Sequence, residues 1–212
     1  MKYLIFSDTH LTPKFEPKKF EVLKSAIEQV DRVIINGDFW EGMAYSFNDF
    51  VTSTWAKELF PLLKKKQAIY LFGNHDKESL ADSRTNLFSG RQMKQYNFKS
   101  GKNTYFVEHG DLLLHLPELP AFSRVILESV ENIIFKILGK TFIRFAYSRF
   151  NNHIKNKITG RFKENEFLVT GHTHFAEIDT DSRYINSGFN NYGIAQYLFI
   201  EGGKVTAVEN RY

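Results

Sequence analysis

Apolar residues in the first half of the chain come in short runs that end in polar clusters: Tyr3 to Phe6, Arg32 to Ile35 and Ala68 to Phe72. Such runs, bounded by turn-forming residues, predict buried parallel strands. Between them, Pro17 to Val30 and Phe47 to Lys66 carry apolar residues at helical spacing with charges on the opposite face. The resulting order, βαβαβ, implies right-handed crossovers and predicts an α/β core. A further strand is expected over Thr104 to Glu108. The closely spaced segments Glu166 to Thr170, Arg183 to Asn186, Ala195 to Ile200 and Lys204 to Val208 predict a second, mainly antiparallel sheet, with Gly202 and Gly203 turning the final hairpin. No internal repeat or linker interrupts the pattern, so one domain over residues 1–212 is expected.

The segment over residues 119–163 differs in kind. Its pattern is helical and strongly apolar, and between Glu131 and Glu164 it carries Lys136, Lys140, Arg144, Arg149, Lys155, Lys157, Arg161 and Lys163 with no acidic residue. Those eight charges exceed the net +4 of the whole chain, so the basicity is local. Lys136, Lys140 and Arg144 fall on one helix face. This segment reads as a helical insertion.

Composition narrows the chemistry. The 21 Phe and 10 Tyr predict a core packed largely by rings. With no cysteine, a transition metal has only His, Asp, Glu, Asn or backbone oxygen to bind it. The charged motif at Asp8 follows Met1 to Phe6 directly, which leaves no room for a signal peptide, and no uncharged apolar run approaches the ~20 residues needed to cross a bilayer. A cytoplasmic location is expected.

The chemistry-bearing residues follow the strands. Ser7-Asp8-Thr9-His10, Asn36-Gly37-Asp38, Gly73-Asn74-His75-Asp76, His109-Gly110-Asp111 and Gly171-His172-Thr173-His174 each come directly after an apolar run. In an open α/β sheet the carboxyl ends of the strands share an edge, so these distant clusters are expected to converge. Five of the seven histidines belong to them, while His115 and His153 match no motif. Asp8, His10 and His174 are assigned to a first metal, Asn74, His109 and His172 to a second, and Asp38 to the bridge between them. Two adjacent cations lower the pKa of a shared water and clamp both the entering and leaving oxygens at phosphorus, which is phosphoester hydrolysis. The neighbouring Gly37, Gly73, Gly110 and Gly171 suit tight turns and close backbone approach.

Asp-x-His, Gly-Asp, Gly-Asn-His-Asp, His-Gly-Asp and Gly-His-Thr-His, in this order from Asp8 to His174, resemble the calcineurin-like metallophosphoesterases. The resemblance implies a four-layer αββα sandwich and two divalent metal ions, Mn first, with Fe or Zn as alternatives. It also implies a catalytic role for His75, as general acid for the leaving oxygen or stabiliser of the transition state, and an orienting role for Asp76. Within the family, Gly37-Asp38-Phe39-Trp40-Glu41 and the insertion after His-Gly-Asp look like the UDP-2,3-diacylglucosamine hydrolases, although those usually have Arg where this chain has His75. That likeness points to a small phosphorylated substrate, left open between a nucleotide-diphospho-lipid and another small phosphoester or pyrophosphate; for the lipid it implies a helical lid over the acyl chains and peripheral membrane contact through residues 119–163. The alternatives are a nuclease or cyclic nucleotide phosphodiesterase, and a non-catalytic scaffold of the same fold. An extended nucleic-acid groove fits poorly in a chain with one basic element, and scaffolds typically lose ligands or the catalytic His, which are all present here.

Overall fold

The computed structural model describes residues 1–114 and 147–212. The expected lid positions Lys136, Lys140 and Arg144, and His115, lie outside the described residues. In chain order the elements are β1 (Tyr3–Phe6), α1 (Pro17–Glu28), β2 (Arg32–Asn36), α2 (Phe47–Val51), α3 (Thr54–Glu58), α4 (Phe60–Lys65), β3 (Ile69–Leu71), β4 (Arg91–Met93), β5 (Gln95–Ser100) and β6 (Asn103–Glu108). They continue with α5, helical over residues 147–158, then β7 (Glu166–Thr170), β8 (Glu177–Asp179), β9 (Tyr184–Asn186), β10 (Asn190–Asn191), β11 (Ile194–Glu201) and β12 (Lys204–Arg211).

Side chains alternate across each strand, and three separate apolar clusters therefore define four layers. Leu4, Phe6, Val33, Ile35 and Tyr70 face α1 and α4 through Leu23, Ile27, Phe60 and Leu63. The intervening positions, Tyr3, Ile5, Ile34, Ile69 and Leu71, meet Phe98, Tyr105, Val107, Phe167 and Val169 of the other sheet. On that sheet's outer side, Leu168 and Tyr184 are covered by Ile154 and Ile158 of α5. The order is helix, sheet, sheet, helix.

The sheets divide the strands differently from the sequence expectation. β1, β2, β3 and β4 run parallel, and β11 joins them antiparallel to β1, with β12 on its far edge. The last two strands therefore belong to the first sheet, not to the second. β1 has a free edge to cap, and β11, which buries Ile194, Ala195, Tyr197, Leu198 and Ile200, has the apolar surface for both faces of a central position. The second sheet, in the order β5-β6-β7-β9-β8, is parallel through β6, β7 and β9 and antiparallel at its two ends. Gly202 and Gly203 do turn the final hairpin, with φ of 58° and 87°, the left-handed pair that a two-residue turn of matching twist requires.

The expected helix over Phe47 to Lys66 is three short helices. Ser53 bonds back to the carbonyl of Phe50 (2.6 Å), ending α2, and Pro61 in the first turn of α4 has no N–H to continue a ladder from α3. The breaks let this stretch wrap a ring cluster. Phe39, Phe50, Phe60 and Phe88 lie with centroids 4.8–6.3 Å apart, and Trp40 stacks on Phe50 at 5.6 Å. Phe39 and Trp40 are fully buried there. Each such ring contributes roughly 1.5–3 kcal/mol by burial. These two also anchor the loop between Asp38 and Glu41, with the rings packed in the core.

Candidate metal centre

All five motif clusters meet at one edge, beyond the carboxyl ends of β1, β2, β3, β6 and β7. Three sets of ligand-capable atoms lie within 4.8 Å of one another: Asp8 with His10 and His174, Asp38 with His109 and His172, and His10 with Asp38 and His75. The first two sets match the expected division. The third joins them through Asp38, whose Oδ2 is 3.3 Å from His109 Nε2 and 3.9 Å from His10 Nε2. Asn74 Oδ1 lies 3.2 Å from His109 Nε2, on the second side. Of the two remaining histidines, His153 is exposed on α5.

The backbone is bent to make this meeting. Asp8, His10, Asp38, His172 and His174 all have φ between 43° and 63°, the left-handed region, which costs a non-glycine residue of order 1–3 kcal/mol when the surroundings enforce it. Here they do. His10 N donates to the carbonyl of Asp38 (3.0 Å) and Leu11 N to that of Phe39 (3.0 Å), so the first two loops are tied together. The buried Lys19 reaches from α1 to the carbonyl of Thr9 (3.1 Å). Asp76 organises the next pair. Its Oδ1 accepts from Asp38 N (3.0 Å) and Gly73 N (2.7 Å), and its Oδ2 from Phe39 N (2.7 Å) and the Tyr70 hydroxyl (2.7 Å). Burial and the adjacent Asp38 push the Asp76 carboxyl up to about 6.

Gly73 has no room for a side chain. A Cβ there would sit 2.6 Å from Asp38 N and press on Asp38 Oδ1. Gly73→Ala is therefore expected to displace Asp38, weakening Mn²⁺ binding by about 10-fold or more and lowering stability by roughly 1–3 kcal/mol. A titration and a thermal melt check this, and unchanged values in both would show that the loop can give way.

Second nitrogens are fixed as well. His109 Nδ1 bonds the carbonyl of Asn36 (2.9 Å) and His172 Nε2 that of Leu114 (3.1 Å), leaving Nε2 and Nδ1 respectively for the centre. The partner that sequence reasoning missed is Glu41. Its carboxylate bonds both His10 Nδ1 (3.0 Å) and His75 Nδ1 (2.8 Å), directing both Nε2 atoms toward Asp38. The one available signal was its position three residues beyond Asp38, with the two ring anchors between.

The charges are mutually dependent. Burial works against ionising Asp8 and Asp38, but neighbouring imidazoles, His174 and His109 foremost, hold both below the usual carboxylate range. Burial opposes ionisation of Glu41 too, yet the His10 and His75 bonds bring it down to about 2. Burial, together with His109, drops His172 to about 4, so it is neutral and able to donate a lone pair. Among the described residues His10 Nε2 is buried with no hydrogen-bond partner, and Asp8 Oδ1, also buried, faces His174 Nε2 at 3.2 Å. Leaving such atoms unpaired is costly, and a cation held by several of them removes that cost. The donor set of carboxylate, imidazole and Asn oxygen suits divalent first-row metals. Beside His109 and Gly73 a cavity of about 510 Å³ opens, walled by Phe72, Lys77, Lys94, Asp111 and Leu112.

A four-layer α/β sandwich with Asp and His side chains gathered at its strand ends is the architecture of a metallophosphoesterase. The calcineurin-like phosphoesterase superfamily domain matches residues 1–210, and the chain belongs to that family. Among solved structures, the Escherichia coli phosphoesterase YfcE is similar at 18% identity and a TM-score of 0.55, with 98% of each chain covered. Vacuolar protein sorting 29 from Cryptosporidium parvum is similar at 12% identity and a TM-score of 0.50, covering 100% of this chain and 97% of its own. At these identities the likeness is one of fold. No curated protein matches the sequence.

Proposed function

We propose that the protein is a metal-dependent hydrolase of phosphoester or pyrophosphate bonds. Two divalent ions, Mn²⁺ first, would be held by Asp8, His10 and His174 on one side and Asn74, His109 and His172 on the other, with Asp38 between. The observation that carries this reading is the meeting of these seven side chains, with His10 Nε2 buried and without a hydrogen-bond partner among the described residues and Asp8 Oδ1 buried 3.2 Å from His174 Nε2. Bound there, such ions would supply Lewis acidity to the phosphoryl oxygens and an acidified water. The chain's own contribution is proton handling and orientation. His75, half-buried with Nδ1 on Glu41, presents Nε2 to the centre, where a proton on that nitrogen passes to the departing oxygen. The adjoining cavity carries Lys77 and Lys94 together with Glu78, Glu108 and Asp111, a mixed lining whose charge selects no one substrate.

Among substrates, we rank a nucleotide-diphospho-lipid such as UDP-2,3-diacylglucosamine first, on the strength of Gly37-Asp38-Phe39-Trp40-Glu41 and the apolar, basic insertion. Peripheral contact with a membrane through that insertion belongs to the same proposal. Among the described residues no helix is long and apolar enough to cross a membrane. The test is hydrolysis by metal-stripped protein reloaded with Mn²⁺, comparing that lipid nucleotide with bis-p-nitrophenyl phosphate and a cyclic nucleotide. Preference for the lipid nucleotide is the expected result. Activity on the simple ester alone would refute the substrate and keep the hydrolase, and no metal-dependent turnover on any of the three would refute both.

A further inference from the structure

The loop that carries His172 and His174 is held from behind by a helix that no phosphoesterase motif includes. Three residues on one face of α5, spaced four apart, meet successive parts of that loop and the strand after it. The Tyr147 ring lies 6.0 Å from the ring of His174. Asn151, fully buried, accepts from Thr173 Oγ1 (2.6 Å) and donates to the carbonyl of Phe175 (3.0 Å) and to Glu177 Oε2 (2.8 Å). Lys155 pairs with Glu177 (2.7 Å) and Asp179 (3.0 Å).

Thr173 is the residue between the two histidines, and both neighbours hold a left-handed φ, 63° at His172 and 56° at His174. A strained conformation persists only where several contacts over-determine it. From the sheet side, Asn186 Nδ2 donates to the carbonyl of Gly171 (2.7 Å) and lies 3.0 Å from Thr173 Oγ1. From the helix side, the Asn151 amide bonds the residues on both sides of His174. It also joins the Tyr184 hydroxyl (2.9 Å), which closes a buried polar network of Asn151, Thr170, Thr173, Tyr184 and Asn186. Such networks rigidify when every member is satisfied.

We infer that Asn151 is a positioning residue for the metal centre. From the helix that ends the insertion, it fixes the loop presenting His172 and His174, so the seating of that helix and the affinity for metal are coupled. The inference rests on the reading of His172 and His174 as ligands. Groups that orient metal ligands typically carry about 10–100-fold of affinity.

The experiment is a calorimetric Mn²⁺ titration of the metal-stripped full chain, with folding followed by circular dichroism, for the parent, Asn151→Ala, Thr173→Val and Ile200→Ala. Thr173→Val cuts the same bond from the loop side and serves if Asn151→Ala does not fold. Ile200→Ala removes buried apolar packing beside Tyr3, at the amino end of β1 and away from both α5 and the site edge. The expected result is a Kd weakened about 10-fold or more in the first two variants, while Ile200→Ala melts at a lower temperature and keeps the parent Kd within about twofold. A parental Kd in folded Asn151→Ala, or in Thr173→Val, overturns the inference, as does equal weakening in Ile200→Ala. No Mn²⁺ binding by the parent itself would overturn the metal reading, and this inference with it.

Discussion

In the Asp38→Ala variant, the rise in melting temperature that Mn²⁺ produces in the parent is lost and hydrolysis falls by at least about a thousandfold, on the order of 4 kcal/mol of transition-state stabilisation. Among the described residues, Asp38 is the one carboxylate within reach of His10, His75 and His109 together, so its removal damages both halves of the site at once. Ligand-induced stabilisation follows RT ln(1 + [L]/Kd), and a weakened centre therefore shows as a missing thermal shift before any activity is measured. The metal-free protein behaves differently. Asp38 lies buried beside Asp8 and Asp76, and burial together with the Asp38 charge raises the Asp76 carboxyl. Removing that charge relieves this repulsion, but it also takes away the ion pair with His109 (3.3 Å) that holds Asp38 ionised and the acceptor of His75 N (2.8 Å). The losses are the larger, because the Asp38 carboxyl lies well below the usual carboxylate range despite that repulsion, so the metal-free melting temperature should fall. A retained Mn²⁺ shift in this variant would remove Asp38 from the bridging position.

For His75 the expected outcome separates chemistry from binding. His75→Ala should retain the Mn²⁺-induced thermal shift and lose about 10²–10⁴-fold in kcat. The loss depends on the leaving group. A nitrophenolate departs with little need of a proton, whereas an alkoxide requires one, so the deficit should be larger on an alkyl phosphodiester than on bis-p-nitrophenyl phosphate. Glu41→Gln supplies the comparison. Glu41 holds His10 as well as His75, so its variant should lose metal affinity, roughly 10-fold or more, along with turnover. Equal losses of His75→Ala on both esters would exclude His75 as the proton donor. Loss of the thermal shift in His75→Ala would instead make it a ligand, a role its distance of 4.0 Å from Asp38 Oδ2 also allows.

How much of this was legible beforehand depended on the range of the interaction involved. Each motif announces itself within a few residues, because an apolar run marks the strand and the Asp, Asn or His after it marks the edge. Convergence then follows from parallel topology alone. Glu41 was not readable in this way. It follows two aromatic residues and has no local feature that ties it to His75, 34 positions away. β4 and β5 were also missed, since Arg91 to Met93 is short and polar and Gln95 to Ser100 buries only Phe98 and Ser100. Pro61 was a visible signal that Phe47 to Lys66 should break, and the helical spacing on either side of it obscured this.

By itself the sequence determined the α/β class, the helix-strand alternation of the first half, the hairpin at Gly202 and Gly203, and the residues of the candidate centre. All of these depend on local periodicity, turn chemistry and the known direction of parallel strands. Only the tertiary structure decided that β11 and β12 complete the first sheet, that Glu41 orients two imidazoles, and that Asn151 grips the loop of His172 and His174 from the far side. Those outcomes turn on which of several available edges and polar groups come into register when the chain closes. A strand of given apolarity fits either sheet, and a buried amide or carboxylate has no assigned partner until packing sets its distance and removes the water that would otherwise satisfy it.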